Sequence, residues 1–277
     1  MAANPALQLN ATRERGWLDG FASLFRNENA AWWRTRRWII HVILWTVLVN
    51  GVLASVLWAP QQQTTAPQTG PDTSNPLVLG TLLFVIMGGL ATATGAIILM
   101  QGAIIDEKKS GTAEWILSKP VSRSAFIWSK LCANGLAALL IMIVLQGVTA
   151  YLLVFARLGN APPLVPFASG IALLGLHLLF YIALTLMLGT LFDGRGPVLG
   201  IPLALLFGAQ MLMGLAPWLS QIMPWTIIIP AGQNSLALAM LTMQGQPLPT
   251  MTPIYATAIW IVIFVGVALW RFAREEF

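Results

Sequence analysis

The feature that most constrains this chain is a series of six long apolar runs separated by short polar segments. A transmembrane helix requires about 20 consecutive apolar residues to cross the hydrocarbon core of a bilayer. The runs that meet this requirement are 38–58, 77–105, 125–155, 167–192, 198–218 and 254–272. The sequence therefore predicts an all-α integral membrane protein with six transmembrane helices, of which the second and third are longer than the bilayer requires.

The composition excludes a soluble protein. Hydrophobic residues make up 57% of the 277 residues and charged residues only 9%, whereas soluble domains carry about 25% charged residues. The net charge of +5 does not indicate nucleic-acid binding, because the basic residues occur in short clusters between the apolar runs. The single cysteine, Cys132, excludes an internal disulfide, and residues 1–37 are too polar and too long for a cleavable signal.

The distribution of lysine and arginine predicts which ends of the helices face the cytoplasm. If the N-terminus is cytoplasmic, fourteen basic residues lie on that side and only Arg157 lies outside. Because basic loops stay preferentially on the cytoplasmic side, both termini are predicted to be cytoplasmic. The fourteen residues are Arg13, Arg15, Arg26, Arg34, Arg36, Arg37, Lys108, Lys109, Lys119, Arg123, Lys130, Arg195, Arg271 and Arg274.

One further apolar segment, 221–246, is predicted not to cross the membrane. It is interrupted by Pro224, Pro230, Gly232, Gln233 and Asn234. Irregular backbone in lipid leaves polar groups without hydrogen bonds, and a seventh crossing would also move Arg271 to the outer side. We therefore predict a re-entrant or interfacial helical hairpin on the outer side, before the last span.

The chain is predicted to divide into a cytoplasmic N-terminal segment, 1–37, and a membrane domain, 38–277. Large apolar side chains recur at helical spacing on one face of 17–33, opposite polar ones. They are Trp17, Leu18, Phe21, Leu24, Phe25 and Trp32. This pattern predicts an amphipathic helix at the cytoplasmic membrane surface. Such a helix either serves only as a lipid anchor or also rests on a cytoplasmic partner.

The loop between the second and third spans is the most charged part of the chain. Residues 106–130 contain eight of the 25 charged residues. The predicted boundaries are Gly111 as a helix break, Thr112 as the N-cap of a short helix over 113–118, Pro120 as its stop, and Ser122 or Ser124 as the cap of the third span. The run Trp115, Ile116 and Leu117 favours a helix that docks on a partner over a hydrated loop.

These residues resemble the first cytoplasmic loop of ABC-2-type permeases. The residues that carry the resemblance are Glu107, Gly111, Thr112, Glu114, Leu117, Ser118, Pro120, Val121, Ser122, Arg123 and Lys130. Six spans, an N-terminal elbow helix and a re-entrant hairpin before the last span also belong to that family's pattern, the type V exporter fold. The resemblance covers nearly the whole chain, although Trp115 departs from the usual aliphatic residue.

The resemblance implies the permease subunit of an ABC exporter in a bacterial inner membrane. Loop 106–124 would then hold the coupling helix, 112–118, which is seated in a separate ATPase. The implied coupling residues are Gly111, Thr112, Glu114, Trp115, Ile116, Leu117, Ser118, Pro120 and Arg123. The implied assembly has two ATPase subunits, which bind ATP and Mg, and two copies of this chain, surrounded by lipid. No cofactor, metal, catalytic residue or nucleic acid is expected for this chain itself.

Several alternatives remain open at this level. The chain has no phosphate-binding loop motif and no constellation of nucleophile and base, which disfavours an enzyme. The spans lack buried acidic or basic residues, which disfavours an ATP-independent channel or carrier. A variant of the permease hypothesis transmits force to partners outside the membrane and carries no substrate.

A substrate pathway is the weakest of the sequence-based assignments. The second span is rich in small residues, which either pack within the molecule or line a pathway at a two-fold interface. The residues assigned to the pathway are Gly88, Thr92, Gly95, Gln101, His177 and Gln210. Pro197 and Pro202 predict a kink in the fifth span that opens and closes the pathway.

Overall fold

The computed structural model of the chain describes residues 16–59, 75–160, 162–232 and 235–275, and every regular element in them is helical. Arg13, Arg15, Gln233, Asn234 and most of the predicted outer loop 59–76 lie outside these residues. The helices are α1 (Phe21–Trp33), α2 (Trp38–Leu57), α3 (Pro76–Lys109), α4 (Thr112–Leu117), α5 (Arg123–Leu158), α6 (Leu164–Leu191), α7 (Arg195–Phe207), α8 (Ala209–Leu215), α9 (Leu219–Ile222), α10 (Trp225–Ile228), α11 (Leu238–Met243) and α12 (Thr252–Ala273).

The described residues form a multi-pass membrane protein. Five helices, α2, α3, α5, α6 and α12, are long and apolar enough to cross a membrane, and the bent pair α7–α8 makes a sixth if it crosses as one span. α3 and α5 contain 34 and 36 residues, which at about 1.5 Å per residue exceeds a hydrocarbon core of about 30 Å. Both helices are therefore longer than a perpendicular crossing requires, and α4 lies in the chain between them.

α6 is the central helix of the fold. It packs against α3, α11 and α12. About two thirds of the residues in its most apolar stretch are buried inside the protein. Its apolar residues surround the whole helix, with Leu178, Ile182 and Leu186 fully buried. A helix that is apolar on all sides can be covered by other helices on every face, which explains why α6 occupies the centre.

Two spans contain a π-helical turn at the point where they meet. In α2 the turn covers Thr46–Asn50, and in α5 it covers Leu139–Val144. The Asn50 amide donates to Gln146 Oε1 at 2.7 Å, and Gln146 donates to the Ile141 carbonyl at 3.0 Å. Irregular turns survive in lipid only where their polar groups find partners. This pair of buried amides supplies those partners between α2 and α5.

The bend in the fifth span does not lie where the prolines predict it. α7 runs without a break through Pro202, which is buried, and the chain turns by 63° at Gly208 before α8. Pro197 lies in the first turn of α7, where its missing N–H removes no helical hydrogen bond. A Cβ at residue 208 would lie 2.5 Å from the Ala204 carbonyl oxygen. A side chain at residue 208 would therefore clash with the preceding turn, and glycine is the residue that permits the bend at this position.

Segment 221–246 forms short helices rather than a crossing helix. α9 and α10 have four residues each and α11 has six. α10 and α11 pack against each other and against α6. Trp225, Ile228 and Met240 are buried there. None of these helices is long enough to cross a bilayer, and α10 and α11 also pack against α3.

Candidate coupling site

The short helix α4 begins at Thr112, one residue before the predicted start. Gly111 occupies the N-cap position with φ of +72°, a left-handed backbone conformation that residues other than glycine rarely adopt. The prediction that Thr112 would be the N-cap is wrong, because its hydroxyl lies 2.8 Å from the Ser110 hydroxyl and makes no cap hydrogen bond. The helix ends at Leu117, before Pro120, as the proline predicts.

α4 presents two side chains outward and turns the others towards the protein. Glu114 is exposed, and the Trp115 side chain is 63% exposed. Lys119 Nζ lies 3.2 Å from the centre of the Trp115 ring, a cation–π contact that orients the indole. Of the three apolar residues that suggested docking, Ile116 and Leu117 are only partly exposed and pack against the core. Trp115 is therefore the apolar group that α4 offers to a partner.

The start of α5 is tied to the segment before α1. Ser122 caps α5, as predicted, by accepting a 3.1 Å hydrogen bond from the Ala125 amide. The Ser122 hydroxyl also donates to the Trp17 carbonyl at 2.7 Å, and its amide donates to the Asp19 carbonyl at 2.9 Å. Ser124 donates to the same carbonyl of Trp17. The chain that follows α4 is thus held by residues about one hundred positions earlier.

A buried lysine joins three helices beside this loop. The Lys130 side chain in α5 is only 3% exposed, and its Nζ lies 2.8 Å from Glu28 Oε1 in α1. It also forms an ion pair with Glu107 at the end of α3. Trp32 Nε1 in α1 donates to Asn134 Oδ1 in α5 at 2.9 Å. α1 therefore packs along α5 and is held there by partly buried polar contacts.

The far end of α12 contacts the loop on both sides. Glu275 Oε1 lies 2.8 Å from Lys108 Nζ, and Arg123 donates to the Glu275 carbonyl at 2.6 Å. Sequence reasoning did not single out Glu28 or Glu275. For Glu28 the available signal was Lys130 inside the third apolar run, because a buried charge requires a partner. The expectation that the spans contain no buried basic residue is wrong at this position.

One protein-family model matches most of the chain. The family model described as ABC-2 family transporter protein matches residues 22–277. The chain belongs to this family. A comparison with curated protein sequences finds no match. As an ABC-2 protein, this permease is a membrane transport component and is not itself catalytic, and its family implies association with an ABC ATPase subunit.

The residues assigned to a substrate pathway lie in different environments in this permease. Gly88, Thr92 and Gly95 are buried, and a Cβ on Gly95 would overlap the Trp45 ring of α2. Gln101 is partly exposed near the charged end of α3, whereas Gln210 is exposed on α8. The small residues of α3 thus serve close packing between helices in this chain, and their place in a pathway stays a prediction.

His177 is the most isolated of these residues. Its side chain is fully buried, its ring centre lies 5.1 Å from that of Tyr181, and neither ring nitrogen has a hydrogen-bond partner among the described residues. An unsatisfied buried polar group costs about 1–3 kcal/mol. We expect His177→Leu to leave the stability in detergent unchanged or to raise it by up to that amount, as measured by chemical unfolding.

Gln146→Leu is the matched control for this substitution. Gln146 is also buried in a span, but both ends of its amide are hydrogen-bonded. Its loss leaves the Asn50 amide with only a 3.3 Å hydrogen bond to the backbone carbonyl of residue 146 and removes the donor to the Ile141 carbonyl, so the substitution is expected to destabilise the protein by about 1–3 kcal/mol. A loss of stability in His177→Leu as large as that in the control would show that the histidine has polar partners.

Proposed function

We propose that this permease is the membrane subunit of an ABC exporter and moves its substrate out of the cytoplasm with energy from a separate ATPase. The observation that carries this proposal is α4, a short helix with an exposed tryptophan and glutamate between two overlong spans. Its loop contains eight charged residues. Five of these eight are lysine or arginine, and clustered basic residues favour the cytoplasmic side of the membrane, where an ATPase would be available.

The proposed contact has the chemistry of a small protein interface. Trp115 supplies a large apolar side chain, and tryptophan is enriched among the residues that dominate binding energy. Glu114 is the acidic residue in the first turn of α4, and it adds a charge beside the indole. We infer that the ATPase receives the indole in an apolar groove and a basic group pairs with Glu114.

Movement would reach the spans through the contacts at the base of the loop. ATP-dependent closure of two ATPase subunits would displace α4 in each of two permease copies. α3 and α5 continue directly from the loop into the membrane. Displacing their protruding ends would therefore tilt two spans, which supports alternating access to a pathway between the copies.

The remaining topological assignments belong to the same proposal. Both termini are placed in the cytoplasm of a bacterial cell, and α1 is the elbow helix at the inner membrane surface. Segment 221–246 is the re-entrant hairpin on the outer side. The support is the ion pairs that join the charged ends of the helices and the position of the short helices α10 and α11 beside α6.

The decisive experiment removes the two exposed side chains of α4. The partner is an ABC ATPase with a phosphate-binding loop motif, encoded beside this chain and co-expressed with it. We expect Trp115→Ala combined with Glu114→Ala to weaken co-purification on the order of 30-fold or more, because a dominant interface residue contributes about 2 kcal/mol or more. Stimulation of ATP hydrolysis by the permease should fall with it.

Trp218→Ala provides the matched control. The Trp218 side chain is also 63% exposed, but it lies after α8, outside the charged loop. We expect it to leave co-purification and hydrolysis unchanged. Normal co-purification and hydrolysis in the Trp115 and Glu114 double variant would refute α4 as the coupling helix.

A further inference from the structure

Glu275, just after the end of α12, contacts both flanks of the loop that carries α4. Its carboxylate lies 2.8 Å from Lys108 Nζ at the end of α3, and its carbonyl accepts a 2.6 Å hydrogen bond from Arg123 at the start of α5. Arg123 also donates to the Ala273 carbonyl at 2.8 Å. Because Lys108 and Arg123 bracket residues 109–122, these contacts close the base of the loop.

These contacts differ from an ordinary surface ion pair. The Lys108 and Glu275 side chains are 12% and 16% exposed, so water screens the pair only partly. Asp193 provides the contrast, because its carboxylate is 3.9 Å from the same Lys108 Nζ and is 93% exposed. An exposed ion pair at that distance contributes little to stability. Lys108 is therefore held mainly by Glu275.

Apolar packing supports the junction from the membrane side. The rings of Phe126 in α5 and Phe272 in α12 are stacked with centres 5.1 Å apart, and both are buried. The start of α5 and the end of α12 thus form one packed unit directly below the ionic contacts. Two ion pairs connect the α3 flank to this unit, Glu107 with Lys130 of α5 and Lys108 with Glu275, and the second of them reaches the end of α12.

We propose that Glu275 is a positioning residue that makes the last span move together with the coupling loop. The inference rests on the proposed function of α4. The loop contains two non-helical breaks, at Gly111 and around Pro120, where a displacement of α4 would be absorbed by bending. Fixing both flanks to one residue prevents this bending, so a displacement of α4 is transmitted to α12 as well as to α3 and α5.

The first test measures the loop in the purified permease without any ATPase. Glu275→Gln keeps the shape of the side chain and removes its charge. We expect amide hydrogen exchange in residues 105–124 to accelerate on the order of 10-fold or more, the size expected for a charged hydrogen bond. Asp193→Asn, which removes the other carboxylate near Lys108, should leave exchange unchanged.

Two further variants separate this ion pair from a general loss of folding. Lys108→Gln should accelerate exchange to the same extent as Glu275→Gln. The double variant should be no faster than either single one, because the two changes remove the same interaction. Additive effects, or exchange in Glu275→Gln equal to that in Asp193→Asn, would overturn the inference.

The second test measures transmission in the complex with the ATPase. We expect Glu275→Gln to keep co-purification, because Trp115 and Glu114 are intact, and to lose most of the permease-dependent stimulation of ATP hydrolysis. Normal stimulation despite faster exchange would overturn the role in transmission. If the unaltered permease neither co-purifies with an ATPase nor stimulates it, the proposed function fails, while the exchange measurement still decides whether Glu275 closes the loop.

Discussion

Replacement of Lys130 by methionine is expected to destabilise the protein by about 3 kcal/mol, the low end for a broken buried ion pair, because it leaves two partly buried carboxylates without their cation. Lys130 is 3% exposed and pairs with Glu28 and Glu107 from two other helices. Methionine has a similar length and fills the same space, so the loss is electrostatic rather than a cavity. The measurement is chemical unfolding in detergent, followed by tryptophan fluorescence.

Two controls make this prediction specific. Lys109→Met removes an exposed lysine from the end of α3, the helix that carries Glu107, and such a surface change is expected to stay within about 0.5 kcal/mol. Combining Lys130→Met with Glu28→Gln and Glu107→Gln removes all three charges and should recover much of the lost stability. A stability of Lys130→Met within error of Lys109→Met would mean that the three side chains do not meet as described.

The second large effect is expected from adding a single methyl group at Gly170. A Cβ at this position of α6 would lie 2.6 Å from the Ala239 carbonyl oxygen and would overlap the Met243 side chain. Because the obstacle includes backbone, α11 must shift away from α6. Gly170→Ala is therefore expected to cost about 1–3 kcal/mol or more, measured by thermal unfolding in the same detergent.

Gly266→Ala is the control for this substitution. Gly266 also lies inside a membrane-spanning helix, α12, but a Cβ there would meet no atom within 4 Å. Gly266→Ala is expected to stabilise the protein by up to about 1 kcal/mol, because alanine has a higher helix propensity than glycine. Equal stability of the two variants would show that α11 does not pack on α6, and would remove the basis for a docked hairpin in segment 221–246.

The spans could be predicted from sequence because they depend on local composition. An apolar run of about 20 residues determines a membrane-spanning helix almost irrespective of the rest of the chain. The Ser122 cap and the stop before Pro120 are similarly local, since both depend on neighbouring backbone geometry. The family resemblance of the 106–130 loop is confirmed by the family match over residues 22–277.

The contacts around the loop could not be predicted in this way because they are non-local. Glu28 pairs with a lysine 102 positions later, and Lys108 pairs with a glutamate 167 positions later. No periodic pattern in the sequence indicates which acidic residue forms an ion pair with which lysine. The bend at Gly208 was missed for a different reason, since a proline near the start of a helix is a stronger local signal than a glycine within it.

The separation in sequence between these partners has a consequence for biosynthesis. A membrane protein is made from its N-terminal end at about 5–20 residues per second, so α4 is synthesised well before Glu275. A nascent or truncated chain that lacks the final helix would therefore carry a coupling loop that is still open at its base. If Glu275 holds the loop as proposed, the loop becomes fully ordered after Glu275 has been translated, and an ATPase would meet an ordered α4 on chains that already include α12.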